Sequence, residues 1–173
     1  FENHARLVSG GNTAIDAKSL RNGENGKLQS NGDMDLAIVE DSEFEGEKVV
    51  AGGDIHVRSG GSITNKTVIQ SGGHAAFAAG GDFNNEGTGT LYSNSGTDIS
   101  AGRDVSVEGA AVSRENLHVS AEGDMVLNGQ ILSFGNTDLT ISHDVNLEGG
   151  LIAAQGNLNI SAGGALVNRA EIQ

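Results

Sequence analysis

Residues 104–109 read DVSVEG, residues 124–129 read DMVLNG and residues 144–149 read DVNLEG. Each stretch is a carboxylate, two apolar residues separated by one position, and a glycine. One such stretch describes the end of many β-strands. Its return every 20 residues is a repeat, and a repeat decides architecture before any local reading does.

With the carboxylate as position zero, the register runs through Asn12, Asp33, Asp54, Asp82, Asp104, Asp124, Asp144 and Ala165, at intervals of 21, 21, 28, 22, 20, 20 and 21 residues. Five residues before each stand Leu7, Leu28, Val49, Phe77, Ile99, Val119, Leu139 and Ile160, all apolar. The positions one and three places after zero are also apolar, from Met34 and Leu36 to Val145 and Leu147, interrupted only by Thr13, Asn85 and Asn168. A third apolar cluster follows at Leu20, Ile63, Leu91, Val112, Leu132 and Ile152. Spacing of two is the period of a half-buried strand; a helix would space them by three and four. Gly52-Gly53, Gly80-Gly81 and Gly149-Gly150 mark corners, where positive φ is the expected role of glycine.

Three strands and three corners per repeat make one turn of a solenoid. The fold predicted is an all-β, right-handed parallel β-helix of about eight rungs, one of them longer, as a single domain over 1–173. Stacked rungs pair equivalent strands at ~4.8 Å and close one apolar column. Interior strands need donors on both sides, and the chain has no proline to remove one. The right-handed bias of parallel crossovers sets the expected hand.

Composition agrees. The 173 residues include 27 glycines but only five phenylalanines, one tyrosine and no tryptophan, so the interior must be thin and built from small aliphatic groups. A net charge of −13 argues against nucleic acid and against polybasic attachment to membranes. Absence of cysteine excludes disulfides and thiolate metal sites. No apolar run approaches the ~18 residues that span a bilayer. Phe1 is an unnatural start, so the chain reads as a piece of a longer one, with neighbouring rungs of that chain as its first partners.

The interval of 28 contains SGGSITNKTVIQSGGH (59–74). It reads as a loop insertion over 59–73, and solenoid insertions emerge on one face, often the binding face. Thr64, Asn65, Lys66 and Thr67 are therefore the candidate partner-binding residues. The stretch EDSEFEGEK (40–48) reads as a solvated loop in an irregular rung, with a metal or cation patch as the alternative. The aspartate column reads as acceptors for turn N–H groups rather than as a calcium ladder, because calcium-binding β-rolls repeat every nine residues. The five histidines fall in different repeats, His56 and His118 at outward positions. No catalytic residue, metal or cofactor is assigned. The competing reading is a polysaccharide-cleaving β-helix enzyme using paired carboxylates, for which Tyr92 is the one tyrosine on offer.

The units SAGRDVSVEGAAV (100–112), SAEGDMVLNGQIL (120–132), SHDVNLEGGLI (142–152) and NLNISAGGAL (157–166) resemble the repeats of filamentous haemagglutinin-type exoproteins. These are the large passengers of two-partner secretion, a group that includes the toxin-bearing rods of contact-dependent growth inhibition. The resemblance covers most of the chain and is strongest from Ile99 to Leu166. It implies a non-catalytic shaft, exported through an outer-membrane transporter partner and projecting from a Gram-negative cell, which meets a surface receptor or glycan on a host or target cell. The secretion-domain motifs of that family are absent, so the resemblance is to shaft rather than export signal.

Overall fold

The computed structural model describes all 173 residues. Each rung gives one strand to each of three faces, named A, B and C in chain order. Face A opens with Glu2–Asn3 and Leu20–Asn22, face B with Arg6–Ser9 and Lys27–Ser30, and face C with Thr13–Ala17 and Met34–Ile38. Faces A and B hold nine strands and face C eight, each strand pairing with its equivalent in the adjacent rung. The pairings are parallel. Alternate residues turn inward, as in Met34–Ile38 and Leu117–Ala121, and 33 of them form one continuous core. Phe44, Phe77 and Phe83 are its bulkiest members, with the rings of Phe77 and Phe83 tilted at 5.7 Å.

The register corrects the longer rung. Face C aligns Ile15, Leu36, Val57, Phe77, Ile99, Val119, Leu139 and Ile160, so the rungs counted along it measure 20 to 22 residues and none measures 28. Asp54 stacks under His74, not Asp82, and Asp82 belongs to the next corner of the rung. There is accordingly no loop insertion over 59–73. Ile63–Asn65 is a strand of face A and Val68–Ser71 a strand of face B, each paired on both sides.

Two corners share one device, which is why they read as one column. Between faces B and C, the Asp33 carboxylate accepts the amide of Asp54 at 3.0 Å, and Asp54 accepts that of His74 at 2.7 Å. Between faces C and A, Asp104, Asp124 and Asp144 accept the amides of Asp124, Asp144 and Ala165 at 2.8, 2.9 and 2.7 Å. The carboxylates thus serve amides, as expected, but those of the next rung rather than of their own turn. Asn116 and Asn136 do the same at 2.9 and 2.8 Å. Asp124→Asn should therefore change stability by no more than about 0.5 kcal/mol, whereas Asp124→Ala should cost about 1 kcal/mol, measured by denaturant unfolding.

The glycine expectation is also corrected. Only Gly150 has a positive φ, at 78°. Most of the others answer to close approach, Gly10, Gly11, Gly87 and Gly149 excepted: a Cβ on Gly53 would fall on the Asp33 carboxylate, and one on Gly123 on that of Asp104. At these corners one rung's carboxylate fills the space that a side chain on the next rung's glycine would need, and at others, such as Gly52 and Gly80, a backbone carbonyl of the adjacent rung does.

Asn85, which breaks an apolar column in the sequence, is a member of a buried polar ladder. The Asn65 amide donates to Asn85 at 2.8 Å, and that of Asn3 to Asn22 at 2.7 Å. Inward serines do similar work at the other end of face B: the Ser71 hydroxyl lies 2.9 and 2.8 Å from the carbonyls of Gly53 and His74. These polar groups can be buried because each is partnered.

Candidate functional site

Most rungs pass from face A to face B through two or three residues, but 23–26 and 86–89 take four. Each long corner closes on itself, Gly26 donating to Gly23 at 2.6 Å and Gly89 to Glu86 at 2.7 Å. The short corners 45–47 and 66–67 lie between them. The result is a recess of about 510 Å³ lined by His4, Arg21, Glu24, Asn25, Glu45, Lys66 and Thr88, with no apolar side chain.

Its floor is an ion-pair network across successive rungs. Arg21 reaches Glu45 at 2.9 Å, Glu43 at 3.4 Å and Glu2 at 3.9 Å. Lys66 reaches Glu43 at 2.9 Å, Glu45 at 3.3 Å and Glu86 at 4.0 Å. The hydrogen bond from Arg21, then that from Lys66, holds the Glu45 carboxyl below its ordinary range. The same contacts raise Arg21, chiefly through Glu45, and Lys66, chiefly through Glu43.

A depressed carboxylate stabilises the fold above its unfolded pKa and loses that contribution as pH falls through its folded value; raised cations lose theirs only as pH climbs through their own, far above neutral. Glu45→Gln should lower the melting midpoint modestly at neutral pH. The gap to the unmodified chain should close as acid protonates Glu45, which thermal melts across pH will check.

The four residues singled out from the sequence divide. Thr64 faces outward on face A between Glu43 and Asn84, and Lys66 sits on the floor of the recess. Asn65 and Thr67 are buried, Asn65 in its ladder and the Thr67 hydroxyl bonded to the carbonyls of Gly46 at 2.6 Å and Glu47 at 3.0 Å. Those two are structural, because their polar atoms are spent inside the stack. The acidic stretch is likewise no irregular loop. Ser42–Phe44 is a regular strand with Phe44 in the core, Glu40 pairs with Lys18 at 3.2 Å, and Asp41 accepts the Ser62 amide at 2.8 Å.

Among the histidines, His56 lies 3.2 Å from Asp35 and His74 3.0 Å from Asp98, both across neighbouring rungs. Sequence reasoning missed Arg21, Glu24, Asn25 and Thr88. The available signal was local: NGENGK and NEGTGT stretch the same corner in two rungs, each pushing the strands that follow two residues further along the chain.

An unbroken stack of three-stranded rungs, with its polar chemistry at the outer corners, defines a parallel β-solenoid repeat protein. The chain belongs to the haemagglutinin repeat family, whose model matches residues 1–37, 45–87, 84–129 and 135–173. Each match spans roughly two rungs of the solenoid. Neither the curated proteins nor the solved structures gave a match.

Proposed function

We propose that the chain is a shaft segment of a secreted, cell-surface filamentous adhesin or contact-dependent toxin-delivery protein of a Gram-negative bacterium, acting as a non-catalytic spacer. The observation that carries this reading is the continuity of the strand register through all three faces, with no element inserted between rungs. Each rung adds ~4.8 Å of length at constant cross-section, and ladders of parallel hydrogen bonds on three sides resist bending. Membership of a structural repeat family supports the same reading. The resemblance to two-partner secretion passengers supports export through an outer-membrane transporter partner, and target-cell contact near the recess is assigned to Thr64 and Lys66.

Antibodies raised against the segment should label intact cells that make the parent protein, without permeabilisation. Labelling that requires permeabilised cells would contradict surface display. A screen of bacterial and host polysaccharides should find no turnover, and turnover abolished by mutating one carboxylate pair would show an enzyme instead.

A further inference from the structure

The first eight strands of face B read RLVS, KLQS, KVVA, VIQS, TLYS, AAVS, QILS and LIAA, with no acidic residue. The chain as a whole carries 23. Of its 10 lysines and arginines, Lys18, Arg21, Arg58, Lys66, Arg103 and Arg169 pair with carboxylates. Arg114 donates to the Tyr92 hydroxyl at 2.6 Å and lies 5.9 Å from the centre of its ring. The remaining three, Arg6, Lys27 and Lys48, are register partners in one outward column of face B.

Stacking sets the backbones that carry these three cations ~4.8 Å apart, and like charges directly opposite one another destabilise a sheet. A chain rich in carboxylates nonetheless leaves this row unpaired, and a row of unpaired cations complements a ligand with a row of negative charges. The strip is narrow. Each strand is four residues wide, with Glu24 and Glu47 in the corners before it and Asp33 and Asp54 in those after it. A bilayer surface, or duplex DNA with a charge every ~1.7 Å of axis, would press its own charges against those carboxylates. A single thin chain with sparse charges would not. Gln29 projects from the same face two residues along the strand from Lys27, and Gln70 projects from it in the rung after Lys48, so amides flank the cations.

We infer that Arg6, Lys27 and Lys48 bind an anionic polysaccharide, sulfated or uronate-bearing, laid along the rod axis. This deepens the adhesive reading above and rests on it. The cell-labelling experiment uses none of these residues, so failure of the display reading and failure of this site are told apart.

The test is calorimetric or biosensor titration of the purified chain with dextran sulfate, alginate and neutral dextran at low ionic strength. Binding to one or both charged polymers, none to dextran, and steep loss on adding salt are expected; which polymer binds identifies sulfate or uronate as the group read. The double variant Lys27→Glu/Lys48→Glu should weaken binding about tenfold or more, by removing two counterion-releasing contacts and adding repulsion. Arg103→Glu/Arg169→Glu, in corners of later rungs and outside the three-cation column, should retain most of it, and circular dichroism should show both variants folded. Absence of binding, equal loss in the two variants, or equally tight binding of duplex DNA or phosphatidylserine vesicles through the same lysines would overturn the proposal.

Discussion

Val119→Lys is expected to destroy cooperative folding of the middle of the rod, or to lower stability by about 4 kcal/mol or more. Val119 is fully buried on face C, stacked between Ile99 and Leu139. A lysine there has rungs above and below and core across, so its ammonium reaches neither water nor a carboxylate. Stability in a solenoid is a sum of nearest-neighbour interfaces, and this substitution damages two of them at once. Ser120→Lys, one residue further along the same strand and facing outward, should stay within about 0.5 kcal/mol. Thermal melts followed by circular dichroism distinguish the two.

Gly109→Ala is the second large effect, through sterics alone. Gly109 sits at the corner between faces A and B, where an added Cβ would fall on the carbonyl oxygen of Gly89 in the rung below and 2.6 Å from that of Glu86. Both obstacles are backbone, so relief requires the rungs to part, and the Ala110 amide would lose its 2.9 Å bond to the same Gly89 carbonyl. A loss of about 2–3 kcal/mol is expected in denaturant unfolding. Gly87, at the tip of the raised corner, has no atom within 4 Å of a notional Cβ. Gly87→Ala should be neutral, or stabilise by up to about 1 kcal/mol by restricting the unfolded chain.

The contrast between those two glycines marks how far the sequence could be read. Alternation at a spacing of two, a period near twenty and the absence of proline are consequences of stacking, so they stand in the sequence and gave the architecture. Which corner a Gly-Asp pair occupies is different information. The corners after face B and after face C use the same carboxylate-to-amide contact, so passing from Asp54 to Asp82 moves a third of a rung sideways while every apolar residue still falls on an inward position. The interval of 28 arose there.

Asn85 and Asn168 read as breaks because a lone asparagine gives no sign of an inward partner; Asn65, 20 residues before Asn85, supplies one only once the register is known. The recess was hidden for a related reason. Its residues come from five rungs, and although Glu43 and Glu45 stand together in the sequence, the cations that pair with them, Arg21 and Lys66, lie about twenty residues to either side. Thr64 lies outward on a strand and Lys66 outward in the two-residue corner that follows it, not on an inserted loop, while Asn65 and Thr67 are buried.

The chain has no cysteine, so paired cysteines can report its register without background. His56 and Ala76 are partners on face C, both outward, at the ~4.8 Å spacing of adjacent parallel strands and within the 4.4–6.8 Å that a disulfide bridges. His56→Cys/Ala76→Cys should form an intramolecular disulfide under mild oxidation, and His56→Cys/Asn84→Cys, the pair a 28-residue rung would join, should not. The reverse outcome, bridging of 56 to 84 without bridging of 56 to 76, would contradict the uniform stack of rungs on which the whole account is built.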